Sequence, residues 1–339
     1  MSFLRRRILG IVPTLFGVVV VTFLLTRLLP GDPAVFFANS PTADAATIRA
    51  IRESLGLDQP LWRQFMLYFS GLARGDLGVS VGTGQPVLHD LAQRLPASAE
   101  LTIMAFLIAV AVALPLGIAA ACNPRSLVDH ACRLIGTAGV ALPTFISGLL
   151  LIDLFYFRLG IAPEPIGRIA PFSEMAPGIT GFLLIDTVLA GDGAGFRAAF
   201  AQLVLPAATM AIFALAPLMR VTRAAMLGVL GSAFIRTARA NGLRRRTIIV
   251  SYALRNALLP VVTTLGMVFC AMLGANVLVE QVFAWPGVGS YALGSLLSLD
   301  HAPVQGFVLM MAGIVVLVNL LVDMAQALID PRTGLLDDA

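Results

Sequence analysis

Lysine is absent from all 339 residues, and the 23 basic residues are all arginine. A Walker A loop needs its lysine to reach the β- and γ-phosphates, and imine chemistry needs a lysine amine. Neither can occur in this chain, so any energy from ATP must arrive through another polypeptide. Charge of either sign is scarce, at 12% of residues, where a soluble domain carries about one quarter. With 58% hydrophobic residues and a mean hydropathy of +0.90, most of the chain must be solvated by lipid. The three cysteines, Cys122, Cys132 and Cys270, have neither disulfide-framework nor metal-site spacing and read as small apolar fillers. His89, His130 and His301 fall in three different extramembranous segments, none inside an expected helix, which excludes a shared metal site. No Gly-x-Ser-x-Gly elbow or His-Glu-x-x-His helix occurs, so catalysis by this chain is not expected.

What the sequence does have is long apolar runs. Arg5, Arg6 and Arg7 precede a run over 8–29, and at about 1.5 Å per residue this run spans a hydrocarbon core of about 30 Å. No small-residue cleavage site follows it, so it reads as an uncleaved first transmembrane helix. Five further helices are expected near 100–121, 135–157, 203–219, 258–282 and 304–328. Pro115, Gly117, Pro143, Gly148, Pro206, Pro217, Gly266 and Gly274 are expected to interrupt them, with Ala271, Gly274 and Ala275 allowing close backbone approach. The fold class is therefore an all-α membrane protein of six transmembrane helices. The 32–98 region is polar and mixed, with short helices over 45–55 and 61–72 and a loop or hairpin over 75–84. It is expected to form a small extracytoplasmic lobe.

Arginine distribution sets the orientation. Arg125 and Arg133 lie between the second and third helices, eight arginines lie in the central loop 220–257, and none lies in 283–303. Short loops rich in arginine stay cytoplasmic. Both termini and the central loop are thus expected in the cytoplasm, with 32–98 and 158–200 outside. The organisation predicted is 1–31 for the tail and first helix, 32–98 for the lobe, 99–329 for the transmembrane domain and 330–339 for a cytoplasmic tail.

The stretch 233–260 carries Arg236, Arg239, Arg244, Arg245, Arg246 and Arg255 and no acid. A helix is expected over 233–240, ended by the Asn241-Gly242 pair, and a second pattern begins near Arg244. In that second piece Ile248, Ile249, Tyr252, Leu254, Ala257 and Leu258 are placed largely on one face. Two readings stand: a loop that only sets orientation, or a firm surface for a cytoplasmic partner. The length and the structured double helix favour the second.

Ionisable residues within membrane helices are functional hypotheses because they are costly there. Asp153, Glu280 and Asp323, with Asn319 one turn before Asp323, are the polar residues for structure or pathway. All three acids sit toward helix ends, where water or headgroups are expected to reach them. A secondary transporter would need mid-membrane coupling groups and repeats, and neither is visible. A membrane scaffold or insertase-like protein would not need the glycine-broken double helix.

Four stretches, taken together, are familiar: Leu28-Leu29-Pro30-Gly31-Asp32-Pro33; Leu55-Gly56-Leu57-Asp58-Gln59-Pro60 with Arg74-Gly75-Asp76-Leu77-Gly78; Arg236-Thr237-Ala238-Arg239-Ala240-Asn241-Gly242-Leu243 with Leu254-Arg255-Asn256-Ala257-Leu258-Leu259-Pro260; and Phe283-Ala284-Trp285-Pro286-Gly287-Val288-Gly289 with Asp330-Pro331-Arg332. Over nearly its whole length the chain resembles the permease subunits of ABC importers in the dipeptide, oligopeptide and nickel family. The resemblance implies a type I ABC importer fold and identifies Arg236, Thr237, Ala238, Arg239, Ala240, Asn241, Gly242 and Leu243 as the coupling helix for an ATPase. It also implies that Ala238 and Ala240 give close approach. More distant importers carry Glu-Ala-Ala six residues before the glycine, where this chain has Arg236-Thr237-Ala238, the form usual for the peptide branch; Asn241 stands where that branch often has lysine. The partners implied are a second homologous permease, two ATPase subunits or domains, an external solute-binding protein and the bilayer, with no nucleic acid. No cofactor or metal is expected in this chain, with ATP and Mg on the ATPases. Peptides are the implied cargo; a nickel chelate, glutathione or a sugar conjugate are the alternatives.

Overall fold

The computed structural model describes residues 2–28, 44–54, 56, 58–169 and 178–329. The Pro30-Gly31-Asp32-Pro33 and Asp330-Pro331-Arg332 motifs and the 330–339 tail lie outside them. In chain order the helices are α1 (Ser2–Leu28), α2 (Ala45–Ser54), α3 (Leu61–Ala73), α4 (Val87–Cys122), α5 (Leu127–Ala141) and α6 (Thr144–Ile152). They continue with α7 (Leu183–Leu189), α8 (Gly193–Leu230), α9 (Ala233–Ala240), α10 (Arg245–Val282), α11 (Val288–Leu297) and α12 (His301–Ile329). One antiparallel bridge, Val79 with Pro86, closes the expected hairpin loop.

Among the described residues five helices are long and apolar enough to cross a membrane: α1, α4, α8, α10 and α12. The single helix expected over 135–157 is instead two. The chain leaves α5 at Ala141 and re-enters α6 with Pro143 as its N-cap in an extended conformation, and α6 runs on into a widened turn over Asp153–Arg158. Proline has no N–H to donate and disfavours helical geometry in the residue before it, which accounts for the break. The other prolines expected to interrupt helices do not. Pro115 lies inside α4, and Pro206 and Pro217 lie inside α8. The spans are also longer than the apolar runs, because α4 begins 13 residues before residue 100 and α8 extends past 219 through Arg220 and Arg223.

α4 and α8 form the centre of the bundle, with α10 against α8. The reason is a stripe on α4: Ala97, Leu101, Ala105, Ala109, Ala113 and Gly117 recur every four residues, and all are buried. Such an i+4 ridge, small at every position but Leu101, lets two backbones approach closely. At Gly117 a Cβ would lie 2.9 Å from Thr222 Cβ and 3.1 Å from the Met219 carbonyl oxygen of α8. Among the described residues nothing lies within 4 Å of a Cβ at Gly274, so the close approach expected there is not made with them. α1 sits at the edge against α12, where Gln305 Nε2 donates to Thr26 Oγ1 at 2.6 Å. α3 touches α1 through rings: Phe16 lies 6.4 Å from Phe65 and 5.9 Å from Phe69, and Phe23 lies 5.3 Å from Phe65.

Candidate functional site

The arginine-rich end of the bundle is built on α9. This helix spans Ala233–Ala240 as expected and stops because Gly242 adopts φ +73°, a left-handed conformation that costs a side-chain-bearing residue energy. Around it the Gly242 N–H donates to the Arg239 carbonyl at 3.0 Å and the Leu243 N–H to the Ala238 carbonyl at 3.2 Å. These are the two bonds of a Schellman turn, and they satisfy carbonyls that the helix end would leave open. Arg244 then caps the start of α10.

Burial divides α9 into two faces. Ile235 and Ala238 are buried among Ala121, Met226, Ile248, Ala253 and Ala257, so α9 is seated on the ends of α4, α8 and α10. Arg236, Thr237, Arg239, Ala240, Asn241, Gly242 and Leu243 are exposed. Ala238 is buried inside the chain, where its small side chain lets α9 approach its own bundle. Ala240 remains on the free face. The apolar face expected for the following helix also shifts: Ala253 is buried and Tyr252 is exposed. The cause is winding, because Ile248–Leu254 is π-helical and its wider turn moves the register off a 3.6-residue pattern.

Two polar ties fix this end. Arg245 donates to the Cys122 carbonyl at 3.1 Å and to Asn123 Oδ1 at 3.0 Å, placing a cation at the carbonyl end of α4. A cleft of about 490 Å³ lined by Arg239, Leu243, Arg245 and Ile249 opens beside it. Asp129, on α5, accepts from Arg223 Nε at 2.5 Å and Nη2 at 3.1 Å, and from the Arg125 N–H at 2.9 Å. The Arg223 guanidinium first, and then the Arg125 amide, hold the Asp129 carboxyl down at about 2. Neither Asp129 nor its link to α8 stood out in the sequence, although its place in the first turn of α5 is a usual one for an acid.

At the opposite end lies Glu280, which is fully buried. The expectation that water or headgroups reach it is overturned. Its carboxylate accepts from Ser98 Oγ at 2.5 Å, Asn276 Nδ2 at 2.9 Å and the Ser290 N–H at 2.7 Å. No cation pairs with it among the described residues. Ser98 Oγ in turn accepts from the Val288 N–H at 2.8 Å, and Trp285 Nε1 donates to the Ala97 carbonyl at 2.9 Å. The Trp285-Pro286-Gly287-Val288-Gly289 turn is thus clasped onto α4, and a Cβ at Gly287 would collide with the Glu280 carboxylate and Ser98 Oγ. Burial of an acceptor is tolerated only when its bonds are made, and here three donors converge on it.

The remaining polar residues do not join this cluster. Asp153 is about half exposed and pairs with Arg158 at 2.8 Å. Asn319 and Asp323 line a different cleft with Gly10 and Thr14 of α1. All three histidines lie inside helices, contrary to expectation, but at or near their first turns: His89 in α4, His130 in α5 and His301 in α12.

The connections at the Glu280 end are held by three further carboxylates. Asp300 accepts from Ser80 Oγ and the Val81 N–H, each at 2.8 Å, and Asp90 accepts from Tyr291 OH at 2.8 Å. Glu100 binds Arg168 at 2.6 Å and the Leu184 N–H at 2.8 Å. Among the described residues no cluster of histidine, cysteine and acid suited to a metal ion occurs.

One end of the helical bundle thus presents α9, whose exposed face carries Arg236 and Arg239 and no acid. Residues 113–335 match the family described as "Binding-protein-dependent transport system inner membrane component", and residues 1–102 match its N-terminal counterpart. The chain belongs to this family, and within it to the ABC importer permeases of the dipeptide type. It is 44% identical over 333 residues to the probable D,D-dipeptide transport system permease protein DdpB of Escherichia coli strain K12, covering 98% of this chain and 97% of that one. It is 40% identical over 332 residues to the di/tripeptide transport system permease protein DppB of Pseudomonas aeruginosa strain UCBPP-PA14, covering 98% of each. It is 35% identical over 331 residues to the glutathione transport system permease protein GsiC of Escherichia coli O6:H1, again covering 98% of each.

Proposed function

We propose that this chain is the membrane-spanning permease subunit of an ATP-driven, binding-protein-dependent importer of di- or oligopeptides. It forms the translocation pathway with a second homologous permease. Two ATPase subunits hold ATP and Mg, and a solute-binding protein delivers cargo from outside. The observation that carries the reading is α9: an arginine-rich face free of acid, locked by its Schellman turn, and seated through Ile235 and Ala238 on the ends of α4, α8 and α10. In this reading Arg236, Thr237, Arg239, Ala240 and Asn241 meet the ATPase. Ala238, Gly242 and Leu243 keep the contact rigid.

The absence of lysine supports hydrolysis in the partners, and the packing of α9 is the proposed route of transmission. ATP binding closes the ATPase pair and draws the two permeases' coupling helices together. The buried seat passes that displacement to α8 and α10, which pivot to open the pathway outward. Both termini and α9 are cytoplasmic in this reading, following the arginine count, and the 32–98 and 158–200 regions face outward. The six-span topology is completed by the broken α5 and α6 pair.

Peptides are favoured as cargo by the full-length similarity to dipeptide and di/tripeptide permeases. Glutathione is the second reading, on the similarity to GsiC. Uptake of a radiolabelled dipeptide by cells that lack their own peptide permeases and express this chain with its partner subunits distinguishes them. Saturable uptake competed by unlabelled dipeptides is expected. Competition by glutathione alone would transfer the reading to the second cargo.

A further inference from the structure

α3 does not look like part of an aqueous lobe. Leu61 (57% exposed), Trp62 (68%), Met66 (60%) and Leu67 (55%) leave large apolar side chains uncovered on a helix of 13 residues whose one charged residue is Arg63. Its other face meets α1 through Phe65, Tyr68 and Phe69, packed on Phe16 and Phe23. Phe16 and Phe23 belong to the membrane-crossing stretch Gly10–Arg27, Phe16 near its middle and Phe23 toward its Arg27 end. A helix that touches α1 at that level lies at membrane depth. At about 1.5 Å per residue it is about 20 Å long, too short to span about 30 Å of hydrocarbon.

We propose that α3 is a membrane-embedded, non-spanning helix, and that phospholipid acyl chains of the leaflet at the Arg27 end of α1 cover its exposed face. The face of α1 turned away from α3 is also apolar, with Val21 and Leu25 more than half exposed. That face borders a groove of about 630 Å³ lined by Val18, Val21, Leu296, Val304 and Val308. α3 thus leaves apolar surface uncovered at the same depth along the span as α1 does. Two polar side chains of α3 bond back to the chain: Ser70 Oγ donates to the Leu67 carbonyl at 2.9 Å, and Gln64 Nε2 donates to the Gln59 carbonyl at 2.8 Å. Trp62 and Tyr68 are residues that favour the headgroup level, and Arg63 has the reach to extend its charge to it. The inference does not depend on the cargo or on the coupling role of α9. It withdraws α3 from the outward surface open to a binding protein and leaves there the 75–90 loop, α11 and the described residues of 158–200.

The test is photocrosslinking in the intact complex reconstituted in phospholipid nanodiscs, with benzoylphenylalanine introduced at Met66. Val21 serves as the lipid-facing control and exposed Arg74 as the aqueous one. The expected result is an adduct on this chain heavier by one phospholipid at Met66 and at Val21, and none at Arg74. An adduct to another protein chain at Met66, or no lipid adduct there while Val21 gives one, overturns the proposal. Met66→Asp supplies an independent readout. A carboxylate placed among acyl chains should lower the amount of assembled complex in membranes severalfold, whereas Arg74→Asp leaves it unchanged. Equal levels of the two variants would also contradict a lipid-covered α3.

Discussion

Ser98 Oγ donates to the Glu280 carboxylate at 2.5 Å while accepting the Val288 N–H at 2.8 Å, so one hydroxyl joins α4, α10 and α11. Replacing Glu280 by alanine strands Ser98, Asn276 and the Ser290 N–H in a buried site. Unsatisfied buried groups cost about 1–3 kcal/mol each, so Glu280→Ala should destabilise the chain by about 3 kcal/mol or more and lower the melting temperature of the purified complex by several degrees. Scanning fluorimetry in detergent reads this. A variant melting like wild type would show that the cluster holds nothing together.

Gly287→Ala tests the same clasp from the other side. The added methyl group runs into the Glu280 carboxylate and Ser98 Oγ, a form of overpacking that costs about 1–3 kcal/mol. Because the two nearest obstructing atoms belong to Glu280, with Ser98 Oγ the third, the loss caused by Gly287→Ala should be smaller in a Glu280→Ala background than in the wild type. Additive losses would mean that the glycine matters for another reason.

Asp129 sets a pH dependence. Its carboxyl is held down to about 2 by Arg223 and the Arg125 amide, below its ordinary value near 4. A depressed folded value adds stability that is fully present above the unfolded value and is lost as pH falls through the folded one. The wild type should therefore melt above Asp129→Asn by a constant margin from pH 7 to about 5. That margin should shrink from about pH 4 toward pH 2. A margin that does not change with pH would place the effect of the substitution in packing rather than in the ion pair.

Much of this was legible before the fold was known. The edges of α9 and the Asn241-Gly242 stop were readable because helix propensity and a left-handed glycine are local signals. The five long spans were readable from hydropathy. Their ends were not, because α4 and α8 carry polar residues beyond the apolar run and hydropathy registers only the run. The outward position of Tyr252 was missed because a π-helical turn breaks the 3.6-residue rule on which face assignments rest. Glu280 was placed near water because distance along a helix says nothing about the turn that folds back over it. Ser98 carried no signal alone, whereas the Trp285-Pro286-Gly287-Val288-Gly289 motif was visible and its clasping role was not. The small-residue stripe on α4 was present at strict spacing of four and was the missed sign of the closest helix contact.

Ala240 offers the cleanest test of the proposed coupling surface, since it is exposed on the free face of α9. The measurement is ATPase activity of the co-purified complex in lipid, stimulated by peptide-loaded binding protein, for wild type and Ala240→Glu. Adding an acid to this acid-free face should remove the ATPase subunits from the purified complex or cut stimulated hydrolysis at least tenfold, while the level of this chain in the membrane stays the same. Normal assembly and normal stimulation of Ala240→Glu would reduce α9 to an orientation signal and contradict its role as the contact through which ATP drives transport.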